Sequence, residues 1–371
     1  MNLNFRFAIA SDLHIALPET IWDHPSRFHL VEVSIPALEV VLEDLENSQL
    51  DFLLIPGDLT QHGEPSNHIW LANRLSKLPF PVYVIPGNHD VPSLLPNEQS
   101  IGFTDFPSYY QSFGYQNNTE LYYTYQLLPG VQLISLNSNI FDGKGQQLGR
   151  IDEAQLTWLE SVLASIDADL IIVMVHHNLL EHLPGQSHHS LGKRYMLENA
   201  PEVLKLLHQA GVKLVFTGHL HVQDVAYQNG LYDITTGSLV SYPHPYRILE
   251  VQTDSQGVTW LEMISKRVET LPEFPTLSQM SRDWIGDRSL PFTLKLLTET
   301  AVPLSDKKAY QIALELKYFW ADVAGGDADF DFPNLPTKVR EYFEKFGAIA
   351  PDGKLAFIDN HSTFLLEQKC V

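Results

Sequence analysis

The sequence predicts an α/β protein with a smaller, mostly helical unit at its C-terminal end. Three observations carry that expectation. Short apolar, β-rich runs recur through the first two-thirds of the chain, and each ends in a turn bearing carboxylate, amide or imidazole groups. Segments with apolar residues at helical spacing separate those runs, and from about Glu269 onward the strand-and-turn pattern gives way to helical patterns. Strands alternating with helices build layered domains in which ligands gather beyond the carboxyl ends of the strands.

In chain order, Phe5 to Ala10 runs into Ser11-Asp12-Leu13-His14. A helix is expected over Val31 to Asn47, where Leu38, Val41, Leu42 and Leu45 share one face. Asp51 to Ile55 then leads into Pro56-Gly57-Asp58, and Val82 to Ile85 into Pro86-Gly87-Asn88-His89-Asp90. Asp152 to Ala164 is helical in pattern through Leu156, Leu159 and Val162, and Leu170 to Val175 leads into His176-His177. Pro201 to Ala210 begins with proline at a first helical position and has Gly211 just past its end, as capping preferences require. Lys213 to Phe216 runs into Thr217-Gly218-His219-Leu220-His221. Short apolar runs bounded by Gly and Pro turns are expected to be buried strands.

Pro272 and Pro275 suit a boundary, since neither fits inside a helix or a central strand. Residues 1–268 are therefore expected to form the main domain and residues 269–371 a helical cap or accessory domain. Asp306 to Val323 and Lys338 to Phe346 are its clearest helices. Gly325-Gly326-Asp327-Ala328-Asp329 lacks the full spacing of a calcium loop and is expected to be a solvated turn.

Composition narrows the function. The formal charge of 24 minus 45, or −21, opposes binding to long nucleic acids, which rests on Lys and Arg neutralising phosphates. Cys370 is the sole cysteine, so neither an internal disulfide nor a thiolate metal cluster can form. No apolar run is long enough to cross a membrane, and the first residues do not read as a signal peptide, so a cytoplasmic location without a membrane partner is expected. The 16 histidines matter for where they fall.

Five short motifs offer imidazole nitrogen and carboxylate or amide oxygen: Asp12-x-His14, Gly57-Asp58, Gly87-Asn88-His89-Asp90, His176, and Gly218-His219-x-His221. Mixed nitrogen and oxygen donors suit Zn, Fe or Mn, whereas oxygen alone would favour Mg or Ca. Singly, each motif is what an ordinary turn provides. Their joint occurrence, each after an expected strand, is specific.

In that order the motifs resemble the calcineurin-like metallophosphoesterase superfamily over roughly residues 5 to 250. Gly57-Asp58-Leu59-Thr60, followed by Gly63-Glu64-Pro65 and later by Thr236-Gly237-Ser238, is most similar to class III cyclic-nucleotide phosphodiesterases. The resemblance implies a four-layer α/β/β/α sandwich. It implies two divalent or mixed-valence metal ions drawn from Fe, Mn or Zn. Asp12, His14, Asp58 and His221 would bind one, and Asp58, Asn88, His176 and His219 the other. A metal-bridging hydroxide would attack phosphorus, with His89 as acid and Asp90 orienting His89. His177 stays open as a replacement for His176, since His-His-Asn stands here where the family often has His-Pro.

The implied activity is hydrolysis of small phosphodiesters, with 3′,5′-cyclic nucleotides preferred. Glycerophosphodiesters, other nucleotide esters and phosphomonoesters are the alternative substrates, and a metal-binding scaffold is the non-enzymatic alternative. Homo-oligomer contacts would fall to the C-terminal region. His182, His188, His189 and Arg194 are expected in a solvated loop, and His62 and His68 are unassigned. His24, His29, His244 and the tyrosines Tyr109, Tyr110, Tyr122, Tyr123 and Tyr125 are expected to be packing or surface residues.

Overall fold

The computed structural model describes residues 2–22, 27–189, 192–299, 302, 304–350 and 353–368. His24 and Cys370 lie outside the described residues. Strand β1 (Asn4–Ile9) is followed by helix α1 (Ser34–Glu46), which buries Leu38, Val41, Leu42 and Leu45 along the expected stripe. Next come β2 (Phe52–Ile55), α2 (Pro65–Leu75), β3 (Val82–Val84) and the short α3 (Phe106–Tyr109). β4 (Tyr123–Leu128) and β5 (Val131–Ser135) form a hairpin, and β6 (Asn139–Phe141) and β7 (Gln147–Gly149) a smaller one. Then α4 (Glu153–Ser165), β8 (Leu170–Met174), α5 (Ala200–Gln209) and β9 (Leu214–Thr217) alternate. The Asp152 carboxylate caps α4 by accepting from the Gln155 N–H at 2.8 Å. β10 (Asp224–Gln228), β11 (Leu231–Thr235), β12 (Pro245–Thr253) and β13 (Val258–Arg267) complete the series.

The chain ends in α6 (Leu277–Glu299), α7 (Asp306–Glu315), α8 (Phe319–Gly325), α9 (Thr337–Phe343) and β14 (His361–Gln368). One sheet has the order β14-β13-β12-β1-β2-β3 and the other β10-β11-β9-β8-β5-β4. Within the first, β1, β2 and β3 run parallel, and within the second, β5, β8, β9 and β11 do.

The period of two along each strand separates the layers. Ile172 and Met174 of β8 join the core between the sheets, whereas Val173 joins the core beneath α4 and α5. β9 repeats this with Leu214 and Phe216 against Val215. Phe7 of the first sheet meets Phe216 of the second edge-on at 5.6 Å. With α1 and α2 packed on the first sheet, the result is the expected four-layer sandwich.

The C-terminal region is mainly helical, but its details depart from the sequence pattern. Asp306 to Val323 is two helices, because the break at Leu316–Tyr318 lets two side chains reach α6. Lys317 Nζ lies 2.7 Å from Asp287, and the Tyr318 hydroxyl donates to Asp283 at 2.6 Å. α6 itself contains Gly286 and Pro291, which disguise it in the sequence. β14 is a strand, pairing antiparallel with β13. The acidic turn at Asp327 is not solvated as expected. Its carboxylate accepts from the backbone N–H of Asp359 and Asn360 at 2.9 and 3.0 Å, and Asp359 accepts from the Asp327 N–H at 2.8 Å. Among the described residues no helix is long and apolar enough to cross a membrane.

Candidate metal centre

β1, β2, β3, β8 and β9 deliver their polar turns to one edge of the sandwich, where backbone bonds stitch the turns together. His14 N–H donates to the Asp58 carbonyl at 2.9 Å, and Gly218 N–H to the His176 carbonyl at 3.1 Å. The His219 N–H donates to the Asp12 carboxylate at 3.1 Å. Asp12, His14, Asp58, His219 and His221 have φ values of 51, 42, 51, 65 and 58°. That left-handed region costs a residue with a Cβ roughly 1–2 kcal/mol, and such strain concentrates at functional sites. Two glycines permit the approach. Gly57 has φ of 97°, and a Cβ there would strike His176 and Gly87, while a Cβ on Gly87 would fall on the Asp58 backbone and carboxylate.

The side chains converge in two overlapping groups. Asp12, His14, Asp58 and His221 offer ligand atoms within 4.8 Å of one another, as do Asp58, His176 and His219. The Asp58 Oδ2 stands between them, 3.7 Å from His14 Nε2 and 3.4 Å from His176 Nε2. His221 Nε2 lies 3.1 Å from Asp12 Oδ1, and His176 Nε2 lies 3.2 Å from Asn88 Oδ1. Donors roughly 2.0–2.2 Å from one shared cation lie about 3.0–3.5 Å apart, so the spacing and the donor set fit cations. One further detail agrees. His14 Nε2 faces His221 Nε2 at 3.4 Å.

Asp12, His14, Asp58 and His176 are buried, whereas Asn88, His89, His219 and His221 are half-buried and line a cavity. Burial, reinforced by His29, holds the His14 imidazole well below its usual range, and burial with His177 does the same at His219. Neutral rings present lone pairs. Burial would lower His176 too, but Asp58 outweighs it and lifts the ring to about 9. Burial would raise Asp58, but His176 and His89 hold it well below the carboxylate range.

Between the adjacent imidazoles the structure brings His176 into the cluster. Its Nδ1 donates to the Pro56 carbonyl at 2.7 Å, which turns Nε2 towards Asp58. His177 Nδ1 instead pairs with the Ser138 hydroxyl at 2.8 Å, and its ring packs 4.4 Å from that of His219.

His89 lies beside the cluster. Its backbone N–H donates to Asp58 Oδ1 at 2.9 Å, and its Nδ1 donates to the Gln61 carbonyl at 2.7 Å. That bond leaves Nε2 as the nitrogen without a proton in the neutral ring. The expectation that Asp90 orients His89 is corrected. The buried Asp90 carboxylate accepts from the N–H groups of Leu59, Thr60 and Gly87 at 3.0, 2.8 and 2.8 Å, so it braces two turns and the Gln61 carbonyl holds the ring. Burial and Asp58 raise the Asp90 carboxyl to about 7.

Other expectations also change. His29 is neither a packing nor a surface residue, because its ring lies 4.0 Å from that of His14 and 5.3 Å from that of His89. Nothing near it in sequence signals this. His62 stacks on His89 at 5.0 Å, while His68 is buried and bonded to the Tyr110 hydroxyl at 2.8 Å. His182 is not solvated but buried between Asp224 at 2.6 Å and Asp233 at 3.4 Å. His244 bonds the Leu239 carbonyl at 2.9 Å, in keeping with packing.

The cavity before the cluster measures about 1170 Å³. Its floor includes Asp58, Asn88 and His89, and Phe292 and Leu296 of α6 contribute an apolar wall.

Residues 5–223 match the calcineurin-like phosphoesterase family. The chain is similar to a 3′,5′-cyclic-nucleotide phosphodiesterase of Nostoc sp., at 24% identity over 75% of this chain and 99% of that protein. It is also similar to a 3′,5′-cyclic adenosine monophosphate phosphodiesterase of Haemophilus influenzae, at 23% identity over 72% of this chain and 93% of that protein. In fold it resembles a dimetal phosphatase from Danio rerio, with a TM-score of 0.50 and 16% identity over 71% of this chain and 96% of that one.

Proposed function

This chain belongs to the calcineurin-like phosphoesterase family and is a phosphoester hydrolase, and we propose that it acts on small phosphodiesters, 3′,5′-cyclic nucleotides first among them. The observation that carries the reading is Asp58 Oδ2, within 3.7 Å of one histidine group and 3.4 Å of the other. Asp12, His14, Asp58 and His221 hold one cation; Asp58, Asn88, His176 and His219 hold the second. Fe, Mn and Zn all suit these donors. When bound, the pair supplies positive charge to the phosphoryl oxygens and acidifies the attacking water.

The protein's own part is to orient and to move a proton. With Nδ1 committed to the Gln61 carbonyl, His89 in its protonated form can give its Nε2 proton to the leaving alkoxide. Residues 1–268 form the catalytic unit in this reading, working in the cytoplasm, and residues 269–371 an accessory region that walls the cavity. The names of the Nostoc and Haemophilus relatives support the cyclic-nucleotide preference. Glycerophosphodiesters are the second reading, supported by a relative from Arcobacter nitrofigilis named a probable glycerophosphodiester phosphodiesterase, 28% identical over 34% of this chain and 41% of that protein.

The test is a panel of cyclic nucleotides, glycerophosphodiesters, bis(p-nitrophenyl) phosphate and p-nitrophenyl phosphate, assayed with Mn(II). Diesters should be cleaved faster than the monoester, with cyclic nucleotides fastest. His89→Ala should keep its cations and lose roughly a hundredfold in turnover, as loss of a general acid does. Faster cleavage of the monoester would overturn the substrate reading, and unimpaired turnover in His89→Ala the assigned acid.

A further inference from the structure

The loop before α1 carries one imidazole that neither the motifs nor the family pattern accounts for. His29 follows His14 by fifteen positions, and no strand delivers it. Its ring nevertheless lies 4.0 Å from the His14 ring and 4.8 Å from the His221 ring. Ligand nitrogens of His14, His29 and His221 all lie within 4.8 Å of one another. Those two neighbours are donors of the first cation, and His29 is their third companion on the same side. Among the described residues nothing hydrogen-bonds the His29 ring, so its donor nitrogen is uncommitted.

The backbone carrying His29 is fixed from both directions. On one side the Leu30 N–H donates to the Val240 carbonyl at 2.9 Å. On the other, Trp284 Nε1 of α6 donates to the Phe28 carbonyl at 2.9 Å, and Arg288 Nε donates to the Arg27 carbonyl at 3.1 Å. The Phe28 ring meets Phe292 of α6 edge-on at 5.1 Å, and Arg27 pairs with Glu32 at 2.5 Å. A side chain held this way enters the site with little ordering left to do.

We infer that His29 is a further ligand of the cation held by Asp12, His14, Asp58 and His221, presented to it by α6 of the C-terminal region. The inference rests on the two-cation reading above. It makes the two positions unequal: three imidazoles and two carboxylates at the first, against two imidazoles, one carboxylate and one amide at the second. The first position should therefore hold its metal more tightly and favour nitrogen-preferring cations over Mg or Ca.

The experiment uses the full chain, stripped by chelation and titrated with Mn(II) by calorimetry. Wild type should show two binding events of different strength. In His29→Ala the stronger should weaken by roughly tenfold or more, at least the cost of losing an outer partner of a ligand, while the weaker is unchanged. Imidazole added to the buffer should restore part of the loss, which a purely structural defect would not allow. Trp284→Phe, which removes the Nε1 donor, should weaken the same event by a smaller factor. If His29→Ala does not fold, His29→Phe carries the same comparison with the ring's bulk retained. Two events at wild-type strength in the His29 variant, or a loss that imidazole does not relieve, would overturn the ligand role. Wild-type affinity in Trp284→Phe would overturn the part given to α6. Fewer than two events in wild type would instead sink the two-cation reading.

Discussion

Two histidine–carboxylate clusters lie buried in this chain, and they resolve their charges differently. At the strand ends, Asp12, His14, Asp58 and His221 turn ligand atoms towards one another at 3.1 to 3.7 Å. Beside β9 and β11, His182 lies 2.6 Å from Asp224 and 3.4 Å from Asp233. Asp233 also accepts from the N–H of Leu179 and Leu180, at 2.8 and 2.9 Å, and from the Thr217 hydroxyl at 2.9 Å. Burial alone would lower His182, but Asp233 and Asp224 lift it to about 10, so an imidazolium sits between carboxylates. The second cluster balances itself with protein donors. The first has acceptors in excess, which a cation would satisfy. Residue types alone do not distinguish the clusters; the direction of the lone pairs does.

The comparison breaks most visibly at Asp58. Asp58→Ala should lose cation binding and roughly three orders of magnitude in diester hydrolysis, the several kcal/mol that metal charge stabilisation supplies. Retained metal stoichiometry would contradict the shared-ligand geometry. His182→Ala should do the opposite. Leaving Asp233 without its partner should cost about 3–5 kcal/mol of stability in urea unfolding while both cations stay bound. Metal loss in that variant would merge the two clusters into one.

A smaller effect separates them by ligand. Mn(II) at a hundred times a site's dissociation constant should stabilise wild type by about 2.7 kcal/mol for each cation bound, and the shift should be absent in Asp58→Ala. The smallest is a pH dependence. His182 is raised from 6.5 to about 10 on folding, so its contribution is complete below pH 6.5 and fades as pH rises towards 10. The urea-midpoint gap between wild type and His182→Ala should narrow over that window. A gap constant with pH would remove the imidazolium from the account.

What could be read from the sequence follows from how local each signal is. The convergence of Asp12, His14, Asp58, Asn88, His176, His219 and His221 is legible because each lies within a few residues of a strand end, and parallel strands bring such ends to one edge. Of the strands, β1, β2, β3, β8 and β9 are legible for the same reason, as are the helices α1, α4 and α5. His29 is not, since its place depends on Trp284 and Arg288, some 250 residues later. The burial of His182 is not legible in the sequence, because its partner Asp224 is 42 residues away. Adjacency pairs Asp90 with His89, yet successive side chains in a turn need not point together, and the Asp90 carboxylate serves the neighbouring turn. α6 was obscured by Gly286 and Pro291, which tertiary contacts override.

The pairing of β14 with β13 also dictates how the C-terminal region can be removed. Topologically the helices from α6 to α9 form the oversized connection of a β-hairpin, with both ends sewn into one sheet. Truncation after residue 268 would take away the outermost strand with the helices and bare the Val258–Arg267 ladder, an invitation to edge-to-edge aggregation. A cleaner excision splices Arg267 to His361 through a short turn, so that the sheet keeps its sixth strand while the cavity loses its wall.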